Sequence, residues 1–160
     1  MIEIEPQAPD APYLAALSRY GKKTLGDAAY SFAFGISAKR GSGARQLLPV
    51  NTAADVLNYL ELGNVSDEEI FLTLEYFNAA GQNVLSRTLS LAAHAQQHLA
   101  VDTLTDSPFA GSVRLRPSRE ASLLAGSAVY YYSPGRENLD SAEYSTVLSP
   151  VMSRRASSFN

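Results

Sequence analysis

The feature that most constrains the fold is a pair of alternating segments joined by a turn. Residues 70–77 place Ile, Leu, Leu and Tyr at every second position, and residues 85–91 repeat the period of two. Such a period puts successive side chains on opposite faces of a strand. Residues 78–81, Asn-Ala-Ala-Gly, supply a turn with a glycine where positive φ is needed. The pattern predicts a β-hairpin, although Ser66 and Glu69 also fit the capping box of a helix.

Other segments repeat this texture at intervals of about ten residues. Large and small residues alternate from Tyr30 to Phe34, and further strands are predicted at 97–101, 112–116 and 122–132. Recurring short strands with turn signals between them are typical of sandwiches rather than βαβ units. The predicted fold class is therefore all-β, an antiparallel Ig-like β-sandwich. Residues 51–63 fit a helix or a strand pairing with 69–77, and both alternatives stay open.

The predicted sandwich domain spans residues 28–151. Before it, residues 1–27 read as a lead-in with a short helix, because Asp10 can cap and Pro12 can occupy a first turn. After it, residues 152–160 read as a flexible tail. The glycine-rich segment 39–44 is predicted to be a flexible, exposed turn.

Two segments of the chain share one plan. Residues 31–50 and 128–151 each contain an aromatic strand, a loop bearing glycine and arginine, and a short run that ends in Pro-Val. The self-similarity suggests equivalent strands, with a half-module at 28–50 followed by one module at 51–151.

Composition excludes several classes of function. The chain has 160 residues and no cysteine, so disulfides, thiolate nucleophiles and cysteine-ligated metals are ruled out. The formal charge of −3 comes from 13 basic and 16 acidic residues without a basic stripe, which argues against a nucleic-acid partner. No apolar run approaches the roughly 18 residues that membrane insertion requires. We expect a cytoplasmic protein if Met1 is the native start, and a cell-surface or secreted one otherwise.

No motif in the sequence carries a catalytic signature. His94 and His98 are the only histidines, and on a strand their spacing separates them by about 13 Å, too far for one metal ion. The acidic run at 67–69 fits a solvated loop better than a calcium or glycosidase site. Nucleophile elbow, P-loop and dinucleotide motifs are missing. We therefore expect no enzymatic activity, no catalytic or metal-binding residues and no cofactor.

The strongest candidate for a contact surface is a tyrosine triplet followed by a charged loop. Tyrosine and arginine are enriched where proteins contact their partners. On a strand, Tyr130 and Tyr132 share one face and Tyr131 takes the other, so one or two of them must be core. The predicted interaction surface comprises Tyr130, Tyr131, Tyr132, Arg136, Glu137 and Asp140.

Residues 57–150 resemble bacterial Ig-like β-sandwich modules. The resemblance lies in the stretch from Leu60 to Gly81, which contains Thr-Leu-Glu-Tyr-Phe and an Ala-Ala-Gly turn, in Leu89–His94, and in Phe109-Ala-Gly-Ser-Val113. It implies a surface, adhesive or scaffold part, often arranged in tandem.

The chain is also similar to the sensory rhodopsin transducer family of small β-sandwich proteins. This likeness lies in the hairpin at 69–91 and in Asp140-Ser-Ala-Glu-Tyr-Ser-Thr-Val147 after an arginine loop. It implies a cytoplasmic oligomer without catalytic activity.

These observations predict a non-catalytic interaction or scaffold module. It would act by protein–protein contact in a surface assembly or homo-oligomer, with the segment 128–151 at the contact and with itself or a neighbouring module as partner. The alternatives are a carbohydrate-binding module that uses the three tyrosines and a cytoplasmic signalling transducer.

Overall fold

The described part of the chain is built almost entirely from strands. The computed structural model describes residues 16–22, 30–37, 39–53, 55–104, 108–119, 122–136 and 142–153. Within these ranges lie eleven strands: β1 (Ala16–Lys22), β2 (Tyr30–Ser37), β3 (Arg45–Asn51), β4 (Val56–Asn64), β5 (Ile70–Asn78), β6 (Asn83–Leu91), β7 (Gln96–Ala100), β8 (Ala110–Pro117), β9 (Leu124–Tyr132), β10 (Tyr144–Leu148) and β11 (Val151–Ser153). A single turn of 3-10 helix at Pro134–Arg136 follows β9.

The strands β3 to β11 form two antiparallel sheets packed face to face. One sheet has four strands in the order β10-β9-β4-β7, and the other has five in the order β11-β3-β8-β5-β6. Strands β3 and β5 place alternate side chains in the space between the sheets. The prediction of an all-β antiparallel sandwich is confirmed.

The core lies between the two sheets and consists mainly of leucine. Leu60 and Leu62 of β4 face Leu72 and Leu74 of β5, and all four side chains are completely buried. Leu115 of β8 joins the same cluster. Burying a leucine contributes about 1.5–3 kcal/mol, so these inward positions dominate the stability of the fold.

The predicted hairpin is confirmed. β5 pairs with β6 from Ile70 opposite Leu91 to Phe77 opposite Asn83. Gly81 has a φ of 77°, a left-handed conformation that glycine adopts without steric cost. The Oδ1 atom of Asn78 accepts hydrogen bonds from the turn.

Residues 51–63, which fit either a helix or a strand, form strand β4 over most of their length. β4 pairs with β9 along its whole length and with β7 on its other side. The predicted pairing with 69–77 is wrong, because β5 belongs to the opposite sheet. A strand with a neighbour on each side satisfies its backbone hydrogen bonds without forming a helix.

The capping box at Ser66 and Glu69 is replaced by an asparagine-centred turn. The buried Asn64 side chain donates to the carbonyl oxygens of Glu68, Leu91 and Ala92 at 2.7, 3.1 and 2.9 Å. Its Oδ1 atom accepts from the Ser66 backbone N–H at 2.9 Å. Asn64 thus connects the end of β4 to the five-stranded sheet.

The predicted N-terminal helix is wrong over residues 16–22. These residues form β1, which pairs antiparallel with β2 in a separate two-stranded sheet. Isolated helices of fewer than about 12 residues are only marginally stable, so cross-strand pairing outweighs the local helix signals. The residues that carried those signals, Asp10 and Pro12, lie outside the described residues. Strand β2 also contacts β10.

The two segments with a shared plan occupy different positions. The aromatic strand of the first, β2, pairs with β1, whereas that of the second, β9, lies inside the four-stranded sheet. Their Pro-Val ends approach each other, since β3 and β11 are neighbours in the five-stranded sheet. Met152 and Ser153, assigned from the sequence to a tail, belong to β11, and residues 154–160 lie outside the described residues.

Candidate functional site

The three tyrosines lie at the end of β9, which has a neighbouring strand on each side. Tyr132 pairs with Val56 of β4 on one side and with Tyr144 of β10 on the other. Tyr131 is 2% exposed, and Tyr130 and Tyr132 are half-buried on the opposite face. Burial raises the pKa of Tyr130 to about 12. The triplet is therefore divided between two environments rather than forming one surface.

The structure describes only the beginning of the charged loop that follows. Arg136 ends the 3-10 turn, whereas Glu137 and Asp140 lie outside the described residues. The turn is attached to the start of β4 by Asp55. The Asp55 backbone oxygen accepts from Ser133 N at 2.7 Å, and its side chain accepts from Gly135 N at 3.1 Å.

Tyr131 belongs to a second apolar cluster on the outer face of the four-stranded sheet. This outer cluster consists of Leu57, Val129, Tyr131 and Ala142, with Tyr59 and Val147 packed against it. The Tyr59 ring lies edge-on to Tyr131 and to His98, with centroids 5.9 and 4.6 Å away. Such edge-to-face pairs stabilise packing beyond the area they bury. The outer face of this sheet is thus a packed layer around Tyr131.

The outer face of the five-stranded sheet is exposed and carries large apolar side chains. Leu47 and Val151 are directly opposite each other on β3 and β11 and are 42% and 69% exposed. Phe71 on β5 is 50% exposed. These side chains alternate with the buried leucines of the core, so they point away from it.

Arginines lie between these apolar side chains. Arg114 Nε donates to Glu75 Oε2 at 2.8 Å, and its guanidinium lies 4.8 Å from the centre of the Phe77 ring. The hydrogen bond from Arg114 lowers the pKa of Glu75, and the charges of Arg116 and Arg45 lower it further. One carboxylate thus shares this face with three guanidinium groups. We call Arg45, Leu47, Phe71, Glu75, Phe77, Arg114, Arg116 and Val151 the arginine face.

The two histidines contact carboxylates in separate places. His94 lies in the turn before β7 with a φ of 56°, and its Nε2 atom is 3.1 Å from Asp67 Oδ1. His98 lies on β7, with Nε2 3.8 Å from Glu61 Oε1. Among the described residues, no three side chains of His, Asp or Glu come together as a metal site would require. Nor does this part of the chain contain a helix with the length and hydrophobicity to span a bilayer.

Sequence reasoning missed the arginine face, although a signal was present. Phe71 and Phe77 occupy the supposedly polar positions of the alternating strand β5. A strand that is apolar on both faces indicates that its outer face is covered or makes contacts. The contribution of Leu47 and Val151 had no such signal, because their pairing depends on strands distant in sequence.

Comparison with known proteins supports the fold alone. No protein-family profile matches the sequence, and no curated protein matches it. The structure is similar to the crystal structure of Thermotoga maritima 1070, with a TM-score of 0.56 and 8% sequence identity. The match covers 68% of this chain and 93% of that one. A likeness at this identity establishes the two-sheet sandwich and leaves function to be argued from the surface.

Proposed function

We propose that this chain is a non-catalytic, Ig-like interaction module that acts by protein–protein contact through its arginine face. The observation that carries the proposal is the exposure of Leu47, Phe71 and Val151 on one sheet face. Leu47 and Val151 are cross-strand neighbours and Phe71 lies further along the same face, and exposed apolar side chains grouped on one face commonly mark contact sites. Val151 ends the segment 128–151, so this segment contributes to the proposed contact through its last residue.

The charge of the face restricts the partner. Two copies joined face to face would bring together two surfaces that each carry three arginines and one glutamate, and juxtaposed excess positive charge opposes association. The complementary surface is therefore acidic. A neighbouring module in a surface assembly would provide one.

A second copy of the chain would provide another acidic surface. The loop at 67–69 carries three exposed carboxylates, with Glu68 and Arg119 in an ion pair at 3.3 Å. Contact between this loop and the arginine face would be heterologous, because the two surfaces differ. Self-association would then be weakened by salt, since the charges involved are exposed.

Light scattering over a wide protein concentration range tests the proposal with a matched pair of variants. Leu47 and Leu123 are 42% and 40% exposed, but Leu123 lies outside the arginine face. Leu47→Asp should reduce association at least about ten-fold, whereas Leu123→Asp should leave it unchanged. Both variants should retain the far-UV circular dichroism of a β-protein.

One outcome would narrow the proposal to a single partner, and another would contradict it. A strict monomer at every concentration would exclude the homo-oligomer and leave only the neighbouring module as partner. Equal losses of association in Leu47→Asp and Leu123→Asp would place the contact elsewhere. Carbohydrate binding by the three tyrosines stays a prediction, and the burial of Tyr131 argues against a stacking surface made of all three. A transducer role also stays a prediction, because no feature of the described residues favours signalling.

A further inference from the structure

Strand β6 differs from the strands at the other edges of the two sheets. In the described part of the chain, the edge strands are β10 and β7 in the four-stranded sheet and β11 and β6 in the five-stranded sheet. β10 and β7 have five residues each and β11 has three, whereas β6 has nine. Proteins usually keep edge strands short or protect them, because an unpaired edge accepts a further strand. β6 therefore offers the longest site for the addition of a strand.

β6 has few of the features that prevent such addition. Its sequence, Asn83-Val-Leu-Ser-Arg-Thr-Leu-Ser-Leu91, contains no proline or lysine, and Arg87 is its one charged residue. Residues 85–91 pair with β5 in continuous register, since the irregularity lies at the turn end of the hairpin, between Tyr76 and Phe77. Six of the nine side chains are exposed. Seven consecutive residues thus form a regular and accessible edge.

The backbone groups of alternate β6 residues point away from β5. Ser118 N–H donates to the Phe71 carbonyl oxygen at 2.9 Å, so the backbone groups of Phe71 face β8. The direction alternates along an antiparallel strand, so those of Leu72 face β6 and its partner Leu89. The same alternation in β6 directs every second residue to the free edge. The residues with N–H and C=O groups at this edge are Ser86, Thr88 and Ser90.

A second copy of β6 fits this edge in an antiparallel register. A two-fold axis through Thr88 places Thr88 opposite its own equivalent and Ser86 opposite Ser90. These are the residues whose backbone groups face the edge, so the two strands would exchange about six hydrogen bonds. Their side chains lie on the outer face, where threonine and serine pairs across strands are favourable. The edge is therefore complementary to itself in backbone and in side chains.

Arg87 selects this register. It is opposite the buried Leu74, so its side chain lies on the core side of the sheet. An axis through Arg87 would place two guanidinium groups directly opposite each other, which is destabilising. An axis through Ser86 would extend the pairing into the irregular turn end. With the axis at Thr88, Arg87 faces Leu89, and the two guanidinium-bearing residues are diagonal neighbours about 7–8 Å apart.

The contact area corresponds to a weak dimer. Seven paired residues extend over about 24 Å, and the edge of a two-layer sandwich is about 20 Å thick, which gives roughly 500 Å² per partner. A stable complex buries about 800 Å² per partner. The expected dissociation constant is therefore roughly 0.1–1 mM.

We propose that β6 is a dimerisation edge, at which two copies of this chain pair antiparallel about Thr88 and join their five-stranded sheets into one. Paired antiparallel strands keep their side chains on the same faces, so both arginine faces would lie on one side of the joined sheet. The dimer leaves the arginine face open to its own partner, and the proposal does not depend on what that face binds.

Dilution of the ¹⁵N-labelled protein, followed by amide NMR, tests the pairing residue by residue. Between about 1 mM and 0.02 mM, the amide resonances of Ser86, Thr88 and Ser90 should change position. Those of Arg87 and Leu89 should change less, because their N–H groups already donate to β5. Hydrogen exchange at the three edge amides should be slower at the higher concentration.

Salt distinguishes this dimer from association through the arginine face. Raising NaCl from about 0.05 M to about 0.5 M screens the repulsion between the two copies of Arg87, so the edge dimer should tighten about two-fold. Contact between the arginine face and the loop at 67–69 joins opposite charges and should weaken. Arg87→Gln should tighten the edge dimer at low salt and remove its dependence on salt.

A proline on the edge gives a direct test by variant. Thr88→Pro removes an N–H that points to the free edge and makes no bond to β5, so the monomer should fold while dimerisation weakens at least about ten-fold. Thr88→Val keeps the N–H and should dimerise within about two-fold of the unaltered protein. Far-UV circular dichroism checks that both variants fold. If Thr88→Pro does not fold, the alternation of amide shifts in the unaltered protein still decides the pairing.

Three results would overturn the proposal. These are edge amides that do not respond to dilution, shifts of equal size along β6 without alternation, and an unchanged dissociation constant in folded Thr88→Pro. Edge amides that respond only to an added extended peptide would assign β6 to a strand of another protein instead. Leu47→Asp should leave the edge dimer intact, so failure of the arginine-face contact and failure of the edge pairing are separate results.

Discussion

The outer faces of the two sheets differ although their inner faces are alike. On the four-stranded sheet, Val129 and Tyr131 point away from the core yet are 0% and 2% exposed. On the five-stranded sheet, Leu47 and Phe71 also point outward, and they are 42% and 50% exposed. Outward-pointing apolar side chains thus stabilise the fold on the four-stranded sheet and are available for contact on the five-stranded sheet.

This difference separates structural from functional use of the same residue types. A packed outer face lowers the free energy of the folded monomer. An exposed apolar face contributes little to monomer stability, and its burial is realised only when a partner binds. Stability measurements on matched substitutions therefore distinguish the two sheets.

Introducing a charge should produce the largest difference. Val129→Asp places a carboxylate in a completely buried position and should destabilise the protein by more than about 4 kcal/mol, enough to unfold it. Leu47→Asp should cost less than about 1 kcal/mol, because its side chain reaches water. Urea denaturation followed by circular dichroism measures both. Similar losses would show that the exposed face also has a structural role.

Truncating one aromatic side chain on each sheet should produce a smaller difference in stability loss between the two sheets. Tyr131→Ala removes a buried ring from the outer cluster and should cost about 3 kcal/mol. Phe71→Ala removes a half-exposed ring and should cost less than about 1 kcal/mol. Thermal unfolding would report the contrast, and a larger loss for Phe71→Ala would reverse the assignment of the two faces.

Alkaline pH should affect the four-stranded sheet through Tyr130. The folded protein favours its neutral phenol, since burial raises the pKa to about 12 from an ordinary value near 10. This contribution is fully present below pH 10 and is lost as the pH rises through about 12. Tyr130→Phe should reduce the stability that the protein loses between pH 10 and about pH 12 by about 1 kcal/mol, allowing for the partial exposure of Tyr130. The two proteins should show the same pH dependence between pH 7 and 9.

Acid pH should have a smaller effect on the arginine face through Glu75. Its pKa is lowered chiefly by the hydrogen bond from Arg114, so the contribution is present above the ordinary value of 4.5 and is lost as the pH falls through the folded-state pKa. Glu75→Gln should cost less than about 1 kcal/mol at pH 7. The difference from the unaltered protein should disappear at acid pH, and a difference that persists there would point to packing rather than charge.

Much of the sandwich could be predicted from local patterns. The alternation in 70–77 and 85–91 and the turn ending at Gly81 are properties of short segments, and the hairpin follows from them. The helix predicted in the lead-in was wrong over Ala16–Lys22, because pairing with β2 holds this segment in an extended conformation. Asn51–Gly63 stayed ambiguous for the same reason, since β4 is defined by its neighbours β9 and β7.

The surfaces were harder to predict than the strands. The sequence indicated that the tyrosine triplet must divide between two faces, and Tyr131 is buried while its neighbours are half-buried. It could not indicate that Val151 lies opposite Leu47, or that Gln46 lies beside Gly126. Each of these contacts joins segments distant in the chain, and only the folded topology brings them together.

The pairing of β4 with β9 has a consequence for how the chain folds. Both sheets depend on contacts between segments far apart in sequence, β4 with β9 in one and β3 with β8 in the other. Among the described strands of the two sheets, β5 and β6 form the hairpin with the shortest connection, residues 79–82. Chains dominated by distant pairing fold slowly, because loop closure precedes the contacts that offset its entropic cost. During that interval the hairpin would present Leu72 and Leu74 to solvent, so the segment that forms most readily is also the one most exposed to aggregation before the four-stranded sheet covers it.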